Sequence, residues 1–117
     1  MKKIKLSNGV EMPQQGYGVY QVEPDECEHC VLDALSVGYR MIDTAQAYLN
    51  EEAVGNAWKK SDVNRDEIFL VSKVWHSNYG NGQTMKSIDE SLRKLQTEYK
   101  NYAKTKTCRR ICKTIKK

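Results

Sequence analysis

The chain has 117 residues, 39% of them hydrophobic and 29% charged, which fits one domain of ordinary size with a modest core. No apolar run approaches the roughly 18 residues a membrane-crossing helix needs. The opening Lys2-Lys3-Ile4-Lys5-Leu6 turns polar at Ser7-Asn8-Gly9, without the hydrophobic region of a secretory signal, so a cytoplasmic, reducing address is expected.

The net charge of +4 conceals a split. Residues 1–99 hold 11 Lys/Arg against 15 Asp/Glu, a balance of −4, whereas residues 100–117 hold 8 Lys/Arg and no acid. A shift that abrupt marks a boundary near residue 100.

In chain order, Ile4-Lys5-Leu6 and Val10-Glu11-Met12 flank Ser7-Asn8-Gly9, and the Asn-Gly pair predicts a hairpin with a type I′ turn. Gly16-Tyr17-Gly18-Val19-Tyr20 reads as a first buried strand. Pro24 can open a helix, since its missing N–H would have no partner there. Cys30, Ala34 and Val37, with Val31 and Leu35 beside them, give that helix an apolar face, and Gly38 ends it. Tyr39–Ile42 is a second strand, and residues 51–60 a second helix with Val54, Ala57 and Trp58 inward. Ile68–Val74 is a third strand, apolar enough to be covered on both faces. Thr84 can cap a third helix with Met85, Ile88, Leu92, Leu95 and Tyr99 in one stripe. A hairpin followed by three parallel strands alternating with three helices is α/β architecture.

The cysteines fall in two pairs, Cys27/Cys30 and Cys108/Cys112, separated by 77 residues. That interval is far beyond the spacing of zinc modules, so no metal is expected and the cysteines read as packing residues. Cys30 is expected on the buried side of the first helix.

Gly38-Tyr39-Arg40-Met41-Ile42-Asp43-Thr44-Ala45, then five residues, then Glu51-Glu52-Ala53-Val54-Gly55, resembles the first signature of the aldo-keto reductases. Asn8-Gly9, Gly16-Tyr17-Gly18, Tyr48-Leu49-Asn50-Glu51 and Leu70-Val71-Ser72-Lys73-Val74-Trp75 follow in the family's order. The likeness runs from about residue 4 to Tyr99, and around Gly16 to Val22 is most similar to the bacterial 2,5-diketo-gluconate and glyoxal reductase branch.

The resemblance implies the first three strand-helix units of a (β/α)₈ TIM barrel with an N-terminal β-hairpin, the barrel incomplete. It implies NADPH-dependent reduction of a small aldehyde or ketone to an alcohol. Tyr48 would give the proton, Lys73 would favour the phenolate this leaves, and Asp43 would fix Lys73. A phenol is a poor acid at neutral pH, so it needs such a neighbour. The cofactor would meet Gly18, Val19, Tyr20 and Asp43, and the substrate Tyr48 and Trp75. Taken singly, each residue has an ordinary alternative: a turn aspartate, a packed tyrosine, a solvated lysine. The signature is what joins them.

After Leu95-Gln96-Thr97-Glu98-Tyr99 the family continues into an apolar fourth strand whose histidine orients the carbonyl. Here Lys100-Asn101-Tyr102-Ala103-Lys104-Thr105 has neither apolar run nor histidine, and His29 and His76 are poor substitutes. With five of eight strands missing, along with the segments that grip most of the cofactor, the chain reads as truncated and inactive by itself. Residues 1–99 are the expected reductase part. Residues 100–117 are a basic tail outside the family pattern, either out-of-frame sequence or, from Cys108, Ile111, Cys112 and Ile115, an amphipathic helix. The alternative function is a small non-enzymatic protein whose tail binds an anionic partner; nucleic acid is not an expected one.

Overall fold

The computed structural model describes residues 2–80, 82–100, 102–104 and 115–116. Strands β1 (Lys3–Lys5) and β2 (Glu11–Pro13) form the antiparallel hairpin, with Ile4 opposite Met12. Its loop differs from the expected type I′ turn. Leu6 N–H donates to the Val10 carbonyl at 2.8 Å, and Gly9 N–H to the Leu6 carbonyl at 2.9 Å. Of the loop residues only Gly9 takes a positive φ, 87°. This is a three-residue connection in which the glycine ends the turn, and Asn8 instead accepts the Val10 N–H on its side chain.

Strands β3 (Tyr17–Gly18), β4 (Met41–Asp43) and β5 (Phe69–Lys73) run parallel, with Gly18 beside Asp43 and Asp43 beside Val71. Helices α1 (Pro24–Ser36), α2 (Glu51–Lys60) and α3 (Gln83–Leu95) alternate with them, as the strand and helix patterns predict. The first strand is shorter than expected: its last bond to β4 runs from the buried Val19 N–H to the Asp43 carbonyl, and Tyr20 is 66% exposed.

Helix α1 begins at Pro24 and ends where Gly38, at φ 108°, lets the chain fold back. Gly38 N–H then reaches the Leu35 carbonyl and Tyr39 N–H the Ala34 carbonyl, satisfying the last turn. The buried residues of the helix are Cys27, Val31, Ala34 and Leu35. Cys27, not Cys30, is the deeper cysteine, and Val37 is 75% exposed because the helix has already ended. Burial, followed by the neighbouring Cys30, pushes the Cys27 thiol up to about 11, as suits a packing residue.

The main core lies between the sheet and the helices, around Val31, Leu35, Ile42, Val54, Leu70 and Leu95. Gly55 allows α2 and α3 to approach: a Cβ there would stand 2.5 Å from the Lys94 carbonyl oxygen and 3.0 Å from Leu95 Cα. In α3, Ile88, Leu92 and Leu95 face inward, but Met85 is 57% exposed and Tyr99 lies beyond the helix. Thr84 does not cap α3, which starts at Gln83. Its hydroxyl accepts the Gly80 N–H and donates to the Asn78 carbonyl, both at 3.0 Å, tying the preceding loop.

Three further strands follow. β6 (Tyr99–Lys100) pairs antiparallel with β8 (Ile115–Lys116), and β7 (Tyr102–Lys104) pairs parallel with β5, Val71 opposite Tyr102 and Lys73 opposite Lys104. A fourth parallel strand was not expected from a stretch with so little apolar character. Backbone hydrogen bonds make the ladder, and they do not require it. The tail helix, one of the two alternatives for residues 100–117, lies outside the described residues except at Ile115, which is in β8.

Candidate active site

The carboxyl ends of β3, β4 and β5 bring Gly18, Asp43 and Lys73 to one rim, where parallel α/β sheets place their chemistry. Lys73 ends β5 with its Nζ paired to Asp43 Oδ1 and donating to the Thr44 carbonyl at 3.0 Å. Both side chains keep some contact with solvent, 29% for Lys73 and 41% for Asp43. Tyr48 closes a 3-10 turn, Gln46–Tyr48, and its ring centroid lies 5.1 Å from Lys73 Nζ. The Tyr20 ring packs against that of Tyr48 at 5.2 Å. Asp43, Tyr48 and Lys73 thus meet although 30 residues separate the ion-pair partners.

Two buried polar networks, to which the sequence patterns assign no role, support this arrangement. Thr44 donates from its hydroxyl to Asn50 Oδ1 at 2.6 Å, and Asn50 Nδ2 donates to the Val19 and Val22 carbonyls at 3.0 and 3.1 Å. The two ends of the loop bearing Tyr48 are therefore tied to each other and, through Asn50, to the segment after β3. Glu51, 3% exposed, accepts the hydroxyls of Ser72, at 2.6 Å, and Ser91. Lys100 Nζ donates to Ser91 Oγ at 3.0 Å, and burial brings its pKa down to about 8, partly opposed by Glu51. The signal available for Asn50 and Glu51 was their place in the Tyr48-Leu49-Asn50-Glu51 motif.

Gly18 is exposed, and a Cβ added there would meet nothing within 4 Å, so the rim beside Asp43 is open. Val19 is fully buried; its N–H donates to the Asp43 carbonyl at 3.1 Å and its carbonyl accepts from Asn50. It supports the rim from beneath. Gly18, Tyr20 and Asp43 provide an open surface and a carboxylate acceptor, which fit one end of a dinucleotide.

Trp75, 43% exposed, lies beyond the end of β5 and packs at a 42° tilt against His76, centroids 4.5 Å apart. With Gln46, Leu49, Ser87 and Lys94 it lines a cleft of about 410 Å³ between the Tyr48 loop and α3. That cleft does not include Asp43, Tyr48 or Lys73, which stand on the open rim beside it. His29 pairs with Asp33 on α1, at 3.2 Å. Among the described residues no cluster of His, Cys, Asp and Glu could hold a metal ion, and no helix is long and apolar enough to cross a membrane.

Residues 5–104 match the model of the aldo/keto reductase family. The chain belongs to that family. It is 47% identical to glyoxal reductase of Bacillus subtilis (strain 168) over 97 residues, 82% of this chain and 35% of that protein. It is 46% identical to methylglyoxal reductase DkgA of Escherichia coli (strain K12), over 82% of this chain and 34% of that one. This is the branch to which the residues around Gly16 pointed. The aldo/keto reductase of Brucella melitensis superimposes with a TM-score of 0.85 at 46% identity, covering 87% of this chain and 39% of that structure. A Bombyx mori aldo-keto reductase, solved in complex with NADP, gives 0.83 at 30% identity, covering 87% and 36%. This aldo/keto reductase chain therefore spans about a third of the length of the relatives it matches.

Proposed function

We propose that the rim of this aldo/keto reductase chain carries the proton-transfer side of NADPH-dependent reduction of small aldehydes and ketones. The observation that supports it most is the joining of Asp43, Lys73 and Tyr48 at the strand ends. When bound, the reduced nicotinamide supplies the hydride that the carbonyl carbon accepts. Gly18, Tyr20 and Asp43 would hold its end of the cofactor, with Val19 supporting them from beneath.

Tyr48 is the proton donor. As hydride reaches carbon, the carbonyl oxygen gains negative charge and takes the phenolic proton, leaving an alcohol and a phenolate. The Lys73 ammonium, above the Tyr48 ring, stabilises that phenolate, and Asp43 with the Thr44 carbonyl keeps the ammonium in place. Trp75 forms one wall for the substrate. Short dicarbonyls are the favoured class, in keeping with the names of the glyoxal and methylglyoxal reductases. The cytoplasm is the proposed compartment, which suits the unpaired thiols of Cys27 and Cys30.

The test is NADPH binding by fluorescence titration, followed by turnover of methylglyoxal, with Bacillus subtilis glyoxal reductase beside it. Catalysis depends on positioning both reactants, so turnover by this chain should be at least about 10²-fold slower than that of the longer relative. Lys73→Met should lower what remains by about tenfold or more. Carbonyl reduction indifferent to Lys73 would remove this reading.

A further inference from the structure

One side chain connects the turn that carries Tyr48 to the loop that carries Trp75. Gln46 opens the 3-10 turn, and its Oε1 accepts the Trp75 backbone N–H at 2.8 Å and the Asn78 Nδ2–H at 3.0 Å. Its Nε2 donates to the Ser87 carbonyl of α3 at 3.1 Å. One amide thus uses both an acceptor with two lone pairs and a donor. Otherwise β5 ends two residues before Trp75, whose carbonyl accepts the Asn78 N–H at 2.9 Å and whose ring, 43% exposed, packs at a tilt against His76.

We propose that Gln46 is a positioning residue of the carbonyl site, setting where Trp75 stands relative to Tyr48 and Lys73. The inference rests on the reading of the rim given above. Gln46 touches neither Asp43 nor Lys73 through any of these bonds, so it acts on the substrate wall and not on the proton donor. The two acceptor bonds hold Trp75 and Asn78, and the donor bond anchors the amide to α3.

Fluorine NMR of the full chain labelled with fluorotryptophan tests this. The two tryptophans, Trp58 and Trp75, give one line each, assigned by the line lost in Trp75→Phe. In Gln46→Ala the Trp75 line should shift and broaden. The Trp58 line should stay in place, since that indole donates to the Leu95 carbonyl at 2.7 Å in the core. Gln46→Glu keeps the acceptor oxygens for Trp75 and Asn78 but loses the donor to Ser87, so it should move the Trp75 line less than Gln46→Ala does. If Gln46→Ala disturbs both lines, Gln46→Glu decides: a Trp75 line nearer its wild-type position than in Gln46→Ala supports the proposal, and one displaced as far overturns it. An unmoved Trp75 line in Gln46→Ala also overturns it. Loss of the Lys73 effect in turnover would instead remove the reading of the rim, and the fluorine result would stand apart from it.

Discussion

Asn50 shows how a residue with no reactive group can decide whether a site exists. Its amide is 1% exposed and makes three hydrogen bonds, with Thr44, Val19 and Val22. Replacing it with alanine takes the acceptor from the buried Thr44 hydroxyl and a donor from the half-buried Val22 carbonyl, while the Val19 carbonyl keeps only the Val22 N–H. Asn50→Ala should cost about 2–3 kcal/mol in urea unfolding; a cost below about 0.5 kcal/mol would mean that water takes its place. At this scale the sequence was informative where chemistry is concentrated in a short pattern. Asp43, Tyr48 and Lys73 stood out because the signature surrounds them. Gln46 and Asn50 did not, because an amide's role depends on partners up to 41 residues away that only folding brings near.

Among the elements, periodicity located α2 and the three parallel strands, since apolar spacing reports which face meets the core. It placed Val37 and Met85 inward, yet both are exposed. The helix had already ended at Val37, and at Met85 α3 is in its first turn, before its packed face begins. The α2–α3 contact turns on Gly55, so Gly55→Val should force the helices apart and destabilise the chain by about 1–3 kcal/mol, read from the urea midpoint. Beyond α3, Arg65 ties the turn into β6. Its guanidinium donates to the Ile68 and Tyr99 carbonyls at 2.6 and 2.7 Å, and it stacks on the Tyr99 ring at 4.2 Å. None of this was legible in the polar stretch after Leu95, where side-chain pattern gives way to backbone pairing and long-range contacts to arginine.

For the molecule as a whole, one buried network joins α2, β5, α3 and β6 through Glu51, Ser72, Ser91 and Lys100. Lys100 has its pKa lowered by burial from 10.5 to about 8, against the opposing pull of Glu51. Between these values the unfolded chain holds the Lys100 proton more tightly than the folded one, so stability should rise as pH goes up from about 8, until the raised Cys27 thiol opposes it above about 9. Below pH 8 the ammonium is charged in both states and the cost of burying it is fully present. Lys100→Met should abolish the rise, measured as the urea midpoint against pH; a rise that survives the substitution must come from another group. The proposed function rests, at this scale, on the rim assembled by three strands from separate parts of the chain. The most direct test of it is methylglyoxal reduction with NADPH by Tyr48→Phe beside the unaltered chain. The phenylalanine ring can still pack on Tyr20 beneath the Lys73 ammonium, so only the proton is removed. Turnover should fall by about 10²–10⁴-fold while the urea midpoint is unchanged. Turnover kept within about twofold would show that Tyr48 is not the proton donor and contradict the account.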